Sequence, residues 1–305
     1  DTGSRRSFRV DHPSLGTALV LLYPAQRNAE DEDAYFEFRA LHAYLDPVMR
    51  VPTIIQACDE DRALLVEDLG ETTLEKRLVS HPEEEAQWAD QAGWLLGTWL
   101  GPLTLGAPGH AFFMGRSLDL PRMEFEWAHS RAHFFEAFLQ KEPPRWLDRL
   151  MEEVHASLQG RARFLAHREF HVRNLMVQQD RLVMVDFQDA RCAAATYDLA
   201  SILFDGYWDW SKEAGQRLME RVRRELGWSD GDLWEELSLS ALQRNLRALG
   251  SFGRQLTECR NSQVAPAVPR TLRHLRGHFQ RLNHQDGVLA SEHMLRLAEE
   301  RLLKG

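Results

Sequence analysis

The sequence predicts an α+β fold in which a small, antiparallel β-rich lobe precedes a larger, mainly helical lobe. Short apolar runs bounded by turn residues fill the first 69 positions, as strands do. From Thr72 onward, apolar residues recur at helical spacing. The change near Gly70 predicts an N-terminal lobe of residues 1–69 and a C-terminal lobe of residues 70–305. A functional cleft is expected between them.

Charge, cysteine content and hydropathy restrict the class of protein. The 305 residues carry a formal net charge of −9, so no nucleic-acid partner is expected. The cysteines are far apart and odd in number, as in reduced cytoplasmic proteins: Cys58, Cys192 and Cys259. No apolar run reaches about 18 residues and no signal peptide is recognisable, so no membrane partner is expected either. The oligomeric state is not indicated.

In the first lobe, the apolar pattern predicts strands at 8–10, 18–23, 54–55 and 63–66, with an amphipathic helix at 30–45. In the second lobe it predicts helices at 83–100, 123–139, 146–158, 213–226, 230–255, 268–282 and 291–303, and one starting at Tyr197. His129 and His133 have the spacing of a helical metal pair, but no third ligand is suggested.

The segment 167–189 carries the chemistry. Residues 175–177 and 181–185 predict the two strands of a hairpin around a polar turn at 178–180. This hairpin would hold Asn174 and Asp186 side by side at one end, with Glu169 on the loop just before it. An amide and a carboxylate together suit Mg²⁺, which takes few protein ligands. A further carboxylate could accept a hydroxyl proton, which completes the set for ATP-dependent phosphoryl transfer.

The spacing matches the kinase pattern H-x-D-x-x-x-x-N followed by D-F, in His167, Glu169, Asn174 and Asp186-Phe187, with Glu in the Asp position. A solvated hairpin without function is the plain alternative, and four matched positions weigh against it. His167-x-Glu169 also resembles a zinc deaminase motif. That site needs a later P-C-x-x-C, which is missing from the sequence.

Other candidates surround this segment. Backbone groups at Gly3 and Ser4, with the charges of Arg5 and Arg6, could approach phosphates. The backbone of Glu67, Asp68 and Leu69 could pair with adenine. Asp198 could cap its own helix or steady the loop at His167. The aromatic run at 206–210 could form a cage for a quaternary ammonium group or a packed surface turn.

Together these segments resemble the aminoglycoside-phosphotransferase and choline-kinase-like superfamily, which has a protein-kinase-like two-lobed fold. Within it, the chain is similar to bacterial anomeric kinases of N-acetylmuramate and N-acetylglucosamine, which act at C1 in cell-wall (peptidoglycan) recycling. The segments that carry the resemblance are GSRRSFRV, LLVEDLGETTL, HREFHVRNLM, VDFQDA, TYDLASIL, LQRNLRALGSFGR and VPRTLRHL.

The resemblance implies ATP and Mg²⁺ as cofactors and a small-molecule acceptor, an amino sugar. Glu169 stands at the catalytic Asp position, Asn174 and Asp186 match the metal ligands, and His167 and Asp198 match residues that brace the loop. Residues 3–6 match the phosphate-covering loop and residues 67–69 the hinge. Three residues are candidates to face the sugar: Arg173, Gln188 and Asp189.

Two departures matter. No lysine lies on the strand at 18–23, so Glu37 lacks the usual partner and an arginine such as Arg6 or Arg9 must hold the phosphates. Glu169 is one methylene longer than Asp, so Glu169→Asp is expected to keep or raise the rate. An aminoglycoside or choline kinase, or a weakly active pseudokinase, remains an alternative.

Overall fold

The computed structural model describes residues 5–12, 16–24, 33–101, 115–161, 164–228 and 233–303. They belong to two compact units, Asp1–Pro82 with Arg173–Asp189, and Glu83–Val172 with Ala190–Gly305. The first unit contains an antiparallel sheet and the second is mostly helical, which confirms the predicted α+β class. The lobe boundary after residue 69 stays a prediction.

In chain order the elements are β1 (Arg6–His12), β2 (Gly16–Leu22), α1 (Ala34–Leu45), β3 (Ile54–Cys58), β4 (Ala63–Glu67), α2 (Leu74–Ser80), α3 (Glu85–Leu100), α4 (Leu120–Ser130), a π-helix (Arg131–Leu139), α5 (Arg145–Gln159), β5 (Phe164–Ala166), β6 (Leu175–Gln178), β7 (Arg181–Met184), β8 (Arg191–Ala193), α6 (Tyr197–Leu203), α7 (Lys212–Leu226), α8 (Leu233–Thr257), α9 (Ala267–Arg281) and α10 (Gln285–Leu302), with 3₁₀ turns at Pro82–Glu84 and Ser262–Val264. Free thiols are present at Cys58, Cys192 and Cys259.

The sheet of the first unit has the strand order β1-β2-β4-β3, with every pair antiparallel. α1 buries Phe38, Leu41 and Leu45, the stripe that its helical spacing predicts. Its N-terminus is capped by Asp33, whose carboxylate accepts hydrogen bonds from the amides of Tyr35 and Phe36.

The β6–β7 hairpin closes through Gln179 and Asp180, whose φ angles are 49° and 57°. Positive φ at both central residues gives the tight turn that matches the twist of paired strands. The amide of Val177 donates to the carbonyl of Thr72 at 2.8 Å, next to Thr73, the N-cap of α2. The hairpin is therefore fixed to the segment that leads out of the sheet.

α8 lies in the core of the second unit, where it packs against the π-helix, α4, α6 and α9. The sequence predicted one continuous helix over 123–139, which is wrong, because the hydrogen bonding changes at Arg131 from α to π. The predicted start of the last helix at 291 is also wrong. α10 begins at Gln285, since the ring of His284 accepts from the amide of Gly287.

None of the helices within the described ranges combines the length and apolar character needed to cross a membrane. The three-residue strands β5 and β8, which pair antiparallel, and α2 were not predicted as separate elements. Runs of three to seven residues are too short to show a hydrophobic period, so the sequence gives little sign of them.

Gly253→Ala is expected to lower the free energy of unfolding by about 1–3 kcal/mol, because an added methyl overfills a packed contact. A Cβ on Gly253 would lie 2.4 Å from the backbone oxygen of His133, where α8 crosses the π-helix. Gly277→Ala in α9 is the matched control, because the nearest atom to its Cβ is the tip of Arg281 at 3.8 Å. There alanine should stabilise the helix by up to about 1 kcal/mol. Urea denaturation measures both, and equal effects would contradict this packing.

Candidate active site

The predicted metal ligands lie together at the open end of the hairpin in the first unit. The amide of Val185 donates to the carbonyl of Asn174 at 3.0 Å, which continues the β6–β7 ladder by one pair. Asp186 follows directly with a φ of 65°, a conformation that a residue other than glycine seldom adopts. Such strain is kept where the surrounding structure demands it, and it commonly marks functional sites.

The Asp186 carboxylate has two partners within its unit. Arg5 Nη2 donates to its Oδ1 at 3.2 Å, and Gln188 Nε2 donates to the same oxygen at 2.8 Å. The Arg5 guanidinium also lies 5.9 Å from the centre of the Tyr23 ring, at the end of β2. Arg5 therefore places a cation beside this carboxylate, although no lysine lies on β2.

The donor types of Asn174 and Asp186 fit Mg²⁺, because both offer hard oxygen atoms and the Asp186 side chain keeps 39% exposure. His129 and His133 lie one above the other, and His133 Nδ1 is 3.2 Å from Glu258 Oε1. Within the described ranges, no group of three His, Cys, Asp or Glu residues could hold a metal ion.

The neighbours of the metal-ligand candidates are anchored by packing and charge. The Phe187 ring stacks on that of Phe38 in α1, with centroids 5.0 Å apart. Arg173 makes a two-pronged ion pair with Glu75 of α2, at 2.7 and 2.9 Å. The predicted sugar-facing side chains of Arg173 and Gln188 are thus engaged within the first unit. Asp189 is exposed.

The structure describes some residues of the predicted nucleotide-binding segments. Gly3 and Ser4 lie outside the described residues, and Arg6 is exposed at the start of β1. Arg9 is directed to the carboxylates of Asp68 and Glu71 at 2.7 and 2.6 Å.

The predicted hinge follows β4. The amide of Glu67 donates to the carbonyl of Thr53 at 2.9 Å, so this group already has a backbone partner. The Asp68 carboxylate accepts from the amide of Gly70 at 2.9 Å and shapes the turn after the strand. Leu69 between them is buried.

In the second unit, Asp198 holds the loop that precedes the hairpin. Its carboxylate accepts from the amides of His167 and Arg168 at 2.6 and 2.8 Å. Of the two roles the sequence left open, the structure shows bracing of the loop. Complete burial raises the pKa of Asp198 to about 7, although both amide hydrogen bonds oppose this shift.

The same loop is fixed through Arg168, which has a φ of 74° and is 1% exposed. Its guanidinium pairs with Glu126 of α4, whose carboxylate also accepts from Gln243 Nε2 at 2.9 Å. Burial alone would raise the pKa of Glu126, but Arg168 and Arg247 outweigh it and lower that pKa. An ion pair with this little exposure is costly to break.

Glu169 is held by positive charge on both carboxylate oxygens. Arg247 Nη2 lies 2.5 Å from Oε1, and Arg244 Nη2 lies 3.1 Å from Oε2. His171 Nε2 is 3.4 Å from Oε2. Burial opposes ionisation, but Arg247, Arg244 and His171 outweigh it and hold the pKa of Glu169 well below its usual range.

The sequence profile of the phosphotransferase enzyme family matches residues 2–239, more than half of the chain. The chain belongs to the phosphotransferase enzyme family. A curated relative is the N-acetylmuramate/N-acetylglucosamine kinase of Neisseria meningitidis, 27% identical over 295 residues, covering 90% of this chain and 83% of the relative.

Solved structures show which fold this phosphotransferase has. An amicoumacin kinase in complex with AMP-PNP and Ca²⁺ superposes with a TM-score of 0.61 at 12% identity, covering 89% of this chain and 85% of the other. The choline kinase of Cryptosporidium parvum gives 0.58 at 12% identity, covering 96% and 94%. The likeness at this identity confirms the predicted kinase-like fold.

Sequence reasoning missed several charged residues that organise the loop of this phosphotransferase. Glu126, Arg244 and Arg247 were assigned no role, and neither was Asp205, which accepts from the amide of Val172 at 2.9 Å. The motif LQRNLRALGSFGR contains both arginines and was noted only for its resemblance. Ion pairs that join α4, α8 and the loop connect positions far apart in sequence, so spacing alone cannot reveal them.

The aromatic run at 206–210 forms a packed turn in this phosphotransferase. Trp208 Nε1 donates to Glu85 Oε1 at 3.0 Å, and Trp210 Nε1 donates to the carbonyl of Ile202 at 2.8 Å. Tyr207 packs edge-on against Phe252. A cage needs several rings facing one point. Here the two indoles lie edge to face, with centroids 6.5 Å apart, and their N–H groups donate to separate parts of the unit.

Proposed function

We propose that this phosphotransferase transfers the γ-phosphoryl group of ATP to an amino-sugar hydroxyl, at C1 of N-acetylmuramate or N-acetylglucosamine. The observation that carries the proposal is the pair of oxygen donors, Asn174 and Asp186, fixed at one end of a hairpin in a chain of this family. The curated relative's name supplies the acceptor. Such a reaction belongs to peptidoglycan recycling in the cytoplasm.

In this mechanism, Asn174 and Asp186 would hold Mg²⁺, which would supply positive charge to neutralise the phosphate groups. Arg5 is beside Asp186 and can turn its guanidinium to a phosphate, which would make it the replacement for the missing strand lysine. By resemblance to the family, residues 67–69 would contact adenine and residues 3–6 would cover the phosphates. His167 and Asp198 keep the loop in place, and Arg173, Gln188 and Asp189 remain candidates to face the sugar.

Glu169 orients the acceptor hydroxyl and takes its proton late in the transfer. Its depressed pKa makes it a weak base. Phosphoryl transfer has a loose transition state in which positioning and charge stabilisation matter most. A weak base suits the C1 hydroxyl, because a hemiacetal hydroxyl is more acidic than the other hydroxyls of the ring.

The alternatives are weakened by separate observations. A choline or aminoglycoside kinase needs acidic or aromatic groups for a cationic acceptor, and the indoles at 208 and 210 are inclined at 74° to each other instead of facing one point. A pseudokinase was suggested by Glu169 and the missing lysine. Glu169 is ionised and fixed, and Arg5 supplies a cation beside Asp186.

A steady-state screen with Mg-ATP tests the proposal, with ADP release measured for amino sugars, choline and aminoglycosides. We expect turnover with N-acetylglucosamine and N-acetylmuramate, and none with the methyl glycoside of N-acetylglucosamine, whose C1 oxygen is blocked. Equal turnover of the methyl glycoside would contradict C1 as the site. Nucleotide binding without turnover of any acceptor would favour the pseudokinase.

A further inference from the structure

Two arginines of α8 grip the Glu169 carboxylate, one on each oxygen. Arg244 and Arg247 are three residues apart, so they share a face of the helix. Arg247 Nη2 approaches Oε1 to 2.5 Å and Arg244 Nη2 approaches Oε2 to 3.1 Å. Neither proton transfer nor metal binding needs a carboxylate bound twice in this way. The pairing therefore calls for an explanation of its own.

Each arginine is also anchored away from Glu169. Arg244 Nε donates to the Ser201 hydroxyl of α6 at 3.2 Å, and Arg247 Nε lies 3.4 Å from Glu126 Oε1. Their side chains keep only 9% and 17% exposure. Contacts with α4 and α6 thus fix the guanidinium groups of these two α8 arginines. The Glu169 side chain extends from its loop to contact them.

We propose that Arg244 and Arg247 are positioning residues for phosphoryl transfer and that glutamate at 169 is matched to their reach. This inference rests on the proposed function. An aspartate carboxylate ends about 1.5 Å short of a glutamate carboxylate. It would lose hydrogen-bond distance to at least one arginine, because neither guanidinium can follow without leaving Ser201 or Glu126.

His171 Nε2 also lies 3.4 Å from the Glu169 carboxylate, on the same loop. His171 would still be present in Glu169→Asp, but the oxygen that it approaches is Oε2. Arg247 contacts Oε1. The sequence alone led us to expect that Glu169→Asp keeps or raises the rate, and the arginine pair reverses that expectation.

Glu169→Asp tests the match directly, because it conserves the charge and removes one methylene. We expect kcat for N-acetylglucosamine to fall by about 10- to 100-fold, the effect of misplacing a catalytic group by roughly 1 Å. KM for ATP should change less than about twofold, since the nucleotide is bound by other residues. If the Glu169 carboxylate only stabilised the fold, shortening the side chain would not lower kcat while leaving KM for ATP nearly unchanged.

A double-mutant cycle shows whether the arginines act through Glu169. Arg244→Gln should lower kcat by a similar factor, and the pair Glu169→Asp with Arg244→Gln should be little worse than either change alone. Arg221→Gln is the matched control. Arg221 also makes two ion pairs, with Asp90 at 2.8 Å and Glu225 at 2.7 Å, but it lies on α7 outside this network. It should keep full kcat.

Unchanged or increased kcat for Glu169→Asp would overturn the inference. So would fully additive losses in the cycle for folded variants. Circular dichroism and the unfolding midpoint identify a variant that fails to fold, and Arg247→Lys, which keeps the charge, then replaces Arg244→Gln in the cycle. If the unmodified protein turns over no acceptor, the proposed function fails. If it is active but the cycle is additive, only the arginine inference fails.

Discussion

Asp186→Ala is expected to abolish phosphoryl transfer, with kcat lowered by about 10²- to 10³-fold or more, the cost of losing one fixed charge at a reacting centre. Asp186 is the carboxylate of the proposed metal pair, and its strained φ of 65° shows that the fold specifies its placement. Without it, Asn174 offers a single neutral oxygen. A coupled assay of ADP release with saturating sugar measures the loss.

The matched control for this variant is Asp90→Ala. Asp90 is exposed to a similar degree, 41% against 39%, and it also pairs with an arginine, Arg221. Its partner is Arg221 of α7, which has no role in the proposed site, so its loss should leave kcat within about twofold. Both variants should unfold near the unmodified midpoint, because partly exposed ion pairs contribute little stability. Full activity of Asp186→Ala would refute the metal assignment.

Glu126→Ala is expected to cause the largest loss of stability, about 3–5 kcal/mol in the free energy of unfolding. Glu126 is 6% exposed and Arg168 is 1% exposed, so the change leaves a buried guanidinium without its carboxylate. Gln243 and Arg247 lose the same partner. Arg168 also shapes the loop before the hairpin, and activity should therefore fall at temperatures where the variant is still folded.

Urea denaturation measures this effect, and Glu213→Ala is its control. Glu213 pairs with Arg217 on the surface of α7, where both side chains are more than half exposed. Its loss should cost about 0.5 kcal/mol or less. A similar small cost at Glu126 would show that the buried network contributes little.

The same network has a predictable dependence on pH. The folded pKa of Glu126 lies below its ordinary value of 4.5, so its stabilisation is present above that pH. The contribution is lost as the pH falls through the lowered pKa. The stability gap between the unmodified protein and Glu126→Gln should therefore be largest near neutrality and should narrow below pH 4.5. If this difference in unfolding free energy widened in acid, it would contradict the pairing of an ionised Glu126 with Arg168.

Much of the fold was predictable because it rests on local patterns. The β6–β7 hairpin follows from two apolar runs around a polar turn, and the structure places its turn residues Gln179 and Asp180 at positive φ. The α1 stripe of Phe38, Leu41 and Leu45 is likewise visible in the spacing. The predicted hairpin is enough by itself to bring Asn174 and Asp186 to one end.

What the sequence did not show depends on contacts between distant positions. The change from α4 to the π-helix at Arg131 occurs where Gly250 and Gly253 of α8 let the backbone approach closely. The pairing of Glu169 with Arg244 joins residues 75 positions apart. No local sequence period encodes such a contact. The sequence alone therefore gave no reason for Glu in place of Asp at position 169.

Phosphorus NMR of the product shows whether the phosphoryl group is transferred to C1 of an amino sugar. N-acetylglucosamine incubated with Mg-ATP and the protein should give a new monoester resonance, split by its coupling to the single anomeric proton. Asp186→Ala should give no such signal. A monoester coupled to the two C6 protons, or ATP consumed without any sugar phosphate, would contradict the account.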